Sequence, residues 1–100
     1  MAVCPAKQDP ALQDKTMFYV YALKSKLNGD LYIGQTEDLK NRYTLHNAGK
    51  VKATQAYIPW VLVYYEAYKS KDDITRREIE LKIHAAKNKL KKQIKNSLKI

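Results

Sequence analysis

Phe18-Tyr19-Val20-Tyr21-Ala22-Leu23 and, after seven intervening residues, Leu31-Tyr32-Ile33-Gly34 decide the fold of this chain. The first run is aromatic and β-branched with alternation, the composition of a strand. Between the two stands Asn28-Gly29-Asp30, whose Asn-Gly step supplies the positive φ that tight hairpin turns require. Residues 18–34 therefore predict a β-hairpin with a somewhat long connection. Thr36 is expected to cap a helix, with Glu37 and Asp38 placed where carboxylates favour its dipole. That helix should run from about Asp38 to Asn47, with Gly49 ending it.

Residues 50–59 are basic and polar and close on Pro59, so they read as a loop. Trp60 to Tyr68 is the third strand. Ser70 with Asp73 resembles a capping box and opens a second helix, expected from Lys71 to His84 or Ala86. The tail from Lys87 to Ile100 looks helical and carries no acid. The order is β-β-α-β-α-α. Three strands cannot bury both faces alone, so the fold class is α+β: a small three-stranded antiparallel sheet flanked by helices. Residues 1–16 hold Pro5 and Pro10 without periodicity and read as a flexible leader to a domain spanning 17–100.

The chain has 100 residues, room for one domain. Its net charge is +9, from 19 Lys and Arg against 10 Asp and Glu, which favours a polyanionic partner. A single cysteine, Cys4, excludes an internal disulfide and a cysteine-based zinc site. No run is apolar enough for a signal peptide or a membrane span, so a cytoplasmic protein without membrane partners is expected.

Several residues stand out chemically. Tyr19, Tyr21 and Tyr32 lie on the hairpin near Gly34. Arg42 and His46 are four apart and share a helix face. Glu78 falls inside an apolar stripe formed by Ile74, Leu81 and Ala85. A carboxylate aimed at a core needs a charge partner or a metal. A salt bridge to Arg42, Arg77 or Lys82 would satisfy it as well as a cation. Tyr19, Tyr64, Tyr65 and Tyr68 read as packing residues with satisfied hydroxyls, and Trp60 as core.

Tyr19-Val20-Tyr21 and Tyr32-Ile33-Gly34 resemble the paired tripeptides of the GIY-YIG nucleases. Thr36, Leu39-Lys40-Asn41-Arg42, His46-Asn47, Gly49, Leu62-Val63-Tyr64-Tyr65-Glu66, Arg77-Glu78 and Leu81-Lys82 follow in the family's order. The chain is most similar to the single-domain branch related to the N-terminal nuclease domain of the bacterial excision-repair incision protein. The first tripeptide begins with Tyr19 in place of Gly. Gln35 stands where some relatives carry Lys, which removes one phosphate contact.

The resemblance implies a divalent-metal-dependent endonuclease that hydrolyses DNA phosphodiester bonds in repair or recombination. Glu78 would ligate Mg²⁺, with Mn²⁺ as a substitute, since one carboxylate plus waters and phosphate oxygens suits a hard cation. Arg42 would pair with the scissile phosphate. Tyr32 would serve as general base; a free phenol is a poor base at neutral pH, so it would rely on the metal or Arg42. Tyr21 would orient the water or a phosphate oxygen, and His46 would carry a proton or touch phosphate. Gly34 would permit close backbone approach beside the site. Gly34, Gln35, Lys50, Lys52, Lys87, Asn88 and Lys89 are the expected nucleic-acid contacts, with Lys91, Lys92 and Lys95 able to extend the track. No small-molecule cofactor is expected, and repair or recombination proteins are the expected partners. The alternatives are a nucleic-acid-binding module of the same fold without useful catalysis and a protein that docks on a repair complex through its tail.

Overall fold

The computed structural model describes residues 17–99, so the expected leader at residues 1–16 lies outside the described residues. Strand β1 (Phe18–Ser25) forms the centre of a three-stranded antiparallel sheet, between β2 (Leu31–Thr36) and β3 (Trp60–Tyr68). The order β2-β1-β3 makes β2 and β3 edge strands. Helix α1 (Leu39–Asn47) links β2 towards β3, and α2 (Lys71–Lys82) and α3 (His84–Gln93) follow β3. This is the expected α+β architecture.

Alternation along β1 assigns its side chains to two layers. Val20 and Ala22 point to one face and join Ile33, Ile74, Leu81, Leu90 and Ile94, so α2 and α3 cover that side. Tyr21 and Leu23 point to the other and join Trp60, with Tyr32, Leu39, Tyr43 and Leu62 packed around them, so α1 covers that side. A bulge between Ala22 and Leu23, in the pairing with β3, adds one residue to β3 and swings Leu62 and Trp60 onto the α1 face. The hairpin turn is held by Ser25, whose Oγ accepts from the amides of Leu27 and Asn28, and Gly29 takes φ +79°. Gly49, at φ +75°, ends α1 as expected.

Three boundaries differ from the expectation. Strand β2 continues to Thr36, so that residue cannot cap a helix. Asp38 caps α1 instead, accepting from the Asn41 amide at 3.1 Å, while Thr36 Oγ1 turns the chain by accepting from the Asp38 amide. The second helix stops at Lys82, because Ile83 adopts an extended backbone with ψ 133°. Leu81 and Leu90 are nine residues apart, which in one straight helix places them about half a turn out of phase. The break at Ile83 lets both reach the same core. Ala85 lies past that break and is exposed, so the apolar stripe that ran through Glu78 ends at Leu81. The tail is helical only to Gln93, after which Ile94 is buried and Leu98 packs against the same core.

Glu66 on β3 anchors α2. It accepts two hydrogen bonds from Arg77, at 2.8 and 2.9 Å, and the hydroxyls of Tyr64 and Tyr68. Burial opposes ionisation of this carboxyl, but the bonds from Arg77, Tyr64 and Tyr68 prevail and hold its pKa down at about 2.

Candidate active site

The site is built around the pairing of Tyr21 with Gly34. These residues oppose each other across β1 and β2, and the Tyr21 ring leans over the glycine. A Cβ at position 34 would lie 2.6 Å from Tyr21 Oη and 2.7 Å from Cζ. Gly34 is thus required by close approach, its backbone φ being ordinary.

Helix α1 delivers Arg42 and His46 to this hydroxyl from one helical face. His46 is fully buried. Its Nε2 lies 2.7 Å from Tyr21 Oη, and its Nδ1 lies 2.8 Å from Thr54 Oγ1. Thr54 Oγ1 in turn donates to the Val51 carbonyl at 3.4 Å. One tautomer satisfies all three contacts: Nδ1–H donates to Thr54, and Nε2 accepts the Tyr21 proton. Burial, aided by the nearby Arg42 charge, lowers the His46 pKa to about 4, so the ring is neutral at physiological pH. Burial also raises the Tyr21 pKa to about 12 against the opposing pull of Arg42, with Tyr32 and Glu78 adding to the rise. Tyr21 therefore holds its proton as a neutral donor to His46.

Tyr32 stands half-buried beside this pair. Its ring centroid is 5.1 Å from that of His46, 6.2 Å from Trp60 and 6.4 Å from Tyr21. Arg42 Nε is buried without a hydrogen-bond partner, a donor left unmatched beside a phenol and an imidazole.

Glu78 approaches from the opposite side of the edge strand. Ile33 and Gln35 alternate with Tyr32 and Gly34 and so face α2. Gln35 Nε2 donates to Glu78 Oε1 at 2.6 Å, and Lys82 Nζ lies 3.1 Å from Oε2. Of the three cations weighed from the sequence, Lys82 is the one that pairs. The Glu78 side chain retains 16% exposure and Lys82 54%, so this ion pair opens to solvent. Tyr21, Tyr32, Arg42 and His46 cluster on one side of β2, with Glu78 across it and within electrostatic reach of Tyr21.

The expected nucleic-acid contacts are scattered. Lys50 and Lys52 are exposed beyond α1, and Lys89 and Asn88 are exposed on α3. Lys87 instead donates to the Leu31 carbonyl of β2 at 2.9 Å, which ties α3 to the sheet. Tyr64 and Tyr68 have the packing role expected of them, whereas Tyr65 is 53% exposed because it faces away from α2 on the part of the sheet that α1 leaves open.

Thr54 and Trp60 carry a supporting role that sequence reasoning missed. Trp60 Nε1 donates to the Thr54 carbonyl at 2.8 Å, fixing the loop that presents Thr54 to His46. Asn47 clasps the Trp60 backbone through Oδ1 and Nδ2. The only prior signal was a lone threonine in a basic loop, which has no periodicity to mark it.

Among the described residues no group of three or more His, Cys, Asp or Glu side chains is gathered to hold a metal. Glu78 alone offers a carboxylate at the site. It already draws an ammonium group to itself, and one oxygen-donor side chain completed by water and phosphate oxygens is a set that suits Mg²⁺.

A family model of the GIY-YIG catalytic domain matches residues 17–93. A UPF0213 protein of Staphylococcus haemolyticus is 46% identical over 74 residues, covering 73% of this chain and 89% of the relative. A UPF0213 protein of Streptococcus agalactiae is 41% identical over 85 residues, covering 82% and 96%. The solution NMR structure of the UPF0213 protein BH0048 from Bacillus halodurans superposes with a TM-score of 0.50 at 35% identity, covering 79% of this chain and 83% of that one. No described helix is long and apolar enough to cross a membrane.

Proposed function

Because the chain belongs to the GIY-YIG catalytic-domain family, a nuclease family, we propose that it is a divalent-metal-dependent endonuclease that hydrolyses DNA phosphodiester bonds. The observation that carries this reading is the gathering of Tyr21, Tyr32, Arg42 and His46 around a glycine whose missing side chain makes room for the Tyr21 phenol, with Glu78 across the strand.

Arg42 meets the scissile phosphate, and its unmatched buried donor favours an anionic ligand. Tyr32 Oη, having given up its own proton with help from Arg42 or the metal, would take the proton of the attacking water. Tyr21 Oη is held by His46 and keeps its own proton, which leaves an oxygen lone pair to accept from that water and so orient it. The His46 ring, neutral and pinned by Thr54, can receive the Tyr21 proton at Nε2 if Tyr21 accepts one in turn. Glu78 would hold the cation, with its carboxylate oriented by Gln35 and Lys82 as the competing charge. Mg²⁺, or Mn²⁺ in its place, supplies charge neutralisation at the phosphate and the leaving oxygen when bound. A cytoplasmic place and a role in repair or recombination rest on the family resemblance and the basic charge of the chain.

One observation favours a second reading, a nucleic-acid-binding module without useful cleavage: Glu78 is already paired with Lys82 and Gln35. Supercoiled plasmid and branched DNA, incubated with Mg²⁺, Mn²⁺ or chelator, separate the two. Under the nuclease reading wild type nicks with metal, chelator stops it, and Glu78→Ala slows it about a hundred-fold or more. Nicking that survives Glu78→Ala refutes the metal assignment. Tight DNA binding by a wild type that cuts no substrate establishes the binding module.

A further inference from the structure

Tyr65 is the most exposed tyrosine among the described residues, and neither helix layer covers its ring. On β3, Tyr64 and Tyr68 turn towards α2 and donate to Glu66. Tyr65 points the other way, onto the sheet face shared with Tyr21. Helix α1 covers that face only around Leu23, Tyr32, Leu62 and Trp60. Beyond it the sheet is open. Tyr65 pairs with Tyr21 across β1 and β3, and Tyr19 pairs with Ala67 one row further on. Tyr65 is 53% exposed, Ala67 is too small to screen it, and the Tyr19 ring braces it edge-on at 5.9 Å and 64°. A large ring held in place by a second ring, yet open to solvent, offers one flat face to a ligand.

We propose that Tyr65, braced by Tyr19, is a stacking shelf for an unpaired DNA base next to the scissile phosphate. The inference rests on the nuclease reading for the position of that phosphate. Tyr65 directly opposes Tyr21, about 5 Å away at Cβ, while the Tyr21 phenol leans towards Gly34 on β2, so a strand crossing this face from β2 to β3 with its phosphate at the site lays a neighbouring base over Tyr65. The net charge of +9 and the Arg42 guanidinium beside Tyr21 favour a polyanionic strand over an apolar peptide on this face. Inside a duplex the faces of a base are covered by its neighbours; a flipped, frayed or single-stranded base exposes them. The shelf therefore selects DNA with an unpaired nucleotide at the cut, and does so without reading its sequence.

The test is fluorescence anisotropy in chelator, with a labelled short oligothymidylate and an abasic strand of equal length and phosphate number. Wild type should bind the oligothymidylate about ten-fold more tightly than the abasic strand. Tyr65→Ala should bind both alike, at the abasic level, and Tyr65→Trp should restore the preference. Circular dichroism and melting check that the exposed substitution leaves the fold intact. Equal binding of the two strands by wild type, or a preference that persists in Tyr65→Ala, overturns the shelf. If the strands bind equally while plasmid is still nicked, the shelf fails and the nuclease reading stands. If plasmid is never nicked while binding remains dependent on bases and Tyr65, the shelf stands and the nuclease reading fails.

Discussion

Gly34→Ala probes the site more sharply than removal of any of its functional groups. The added methyl would sit 2.6 Å from Tyr21 Oη, 2.7 Å from Tyr21 Cζ and 3.0 Å from Tyr32 Cε2. The phenol cannot swing away freely, because it is 2% exposed and its hydroxyl is bound to His46 at 2.7 Å. Forcing one extra methyl into a packed site costs about 1–3 kcal/mol. Breaking the Tyr21–His46 hydrogen bond adds about 1 kcal/mol. The sum is a loss of about 2–4 kcal/mol, or roughly 10–20 °C in melting temperature for a domain of this size. Urea unfolding followed by the fluorescence of Trp60, the single tryptophan, measures it directly. In a Tyr21→Phe background the hydrogen bond is already gone, so the cost of Gly34→Ala should fall by about 1 kcal/mol. A loss below about 0.5 kcal/mol in the wild-type background would refute the requirement for close approach at this position. Any nicking activity should fall with the displaced Tyr21.

The buried histidine makes stability depend on pH. His46 titrates at about 4 in the folded chain against an ordinary 6.5, so the unfolded chain takes up the proton first. Stability is full above pH 6.5 and declines as pH falls towards 4, by at most about 1.4 kcal/mol per unit. Urea midpoints across that window should converge between wild type and His46→Gln as pH drops, and parallel curves would contradict the buried neutral ring. Lys82→Ala removes the ammonium next to Glu78. Since half-exposed ion pairs contribute about 0.2–1 kcal/mol, Mn²⁺ should bind up to about five-fold more tightly, as read by calorimetry or electron paramagnetic resonance. Unchanged affinity would mean that Lys82 does not compete with the cation.

Much of the fold was legible because its signals are local. Trp60–Tyr68 is a strand at both boundaries foreseen, since nine consecutive residues of strand composition follow Pro59. Gly49 ends α1 and Ser70 caps α2 as foreseen, because capping is set by one residue's backbone freedom or hydroxyl, although Ser70 accepts from the Asp72 amide and Asp73 pairs with Arg76 instead of completing a capping box. The break at Ile83 was illegible: no Gly or Pro marks it, and it follows from the demand that Leu81 and Leu90 share one core. Spacing placed Arg42 and His46 on one helix face, and the family resemblance implied that they meet Tyr21 and Tyr32. The Thr54 contact could not be anticipated, because the partners meet only through the folded loop. Gln35 illustrates the same limit. From the sequence it was a lost phosphate contact, but strand alternation turns its amide to Glu78.

The position of β2 has a consequence for how the protein behaves in a crowded cell. An edge strand offers unpaired amides and carbonyls to any extended chain, which makes it the usual starting point of aggregation. Here Lys87 occupies the Leu31 carbonyl and shields one end of that border. The rest of the border, from Tyr32 to Gln35, is lined by the groups proposed to meet the substrate. Covering this stretch with a helix would blunt self-association but would also bury Tyr32 and Glu78, now half-buried. An edge open to unwanted β-pairing is thus one that the proposed function needs uncovered, and the excess of positive charge that would attract a polyanion also keeps copies of the chain apart.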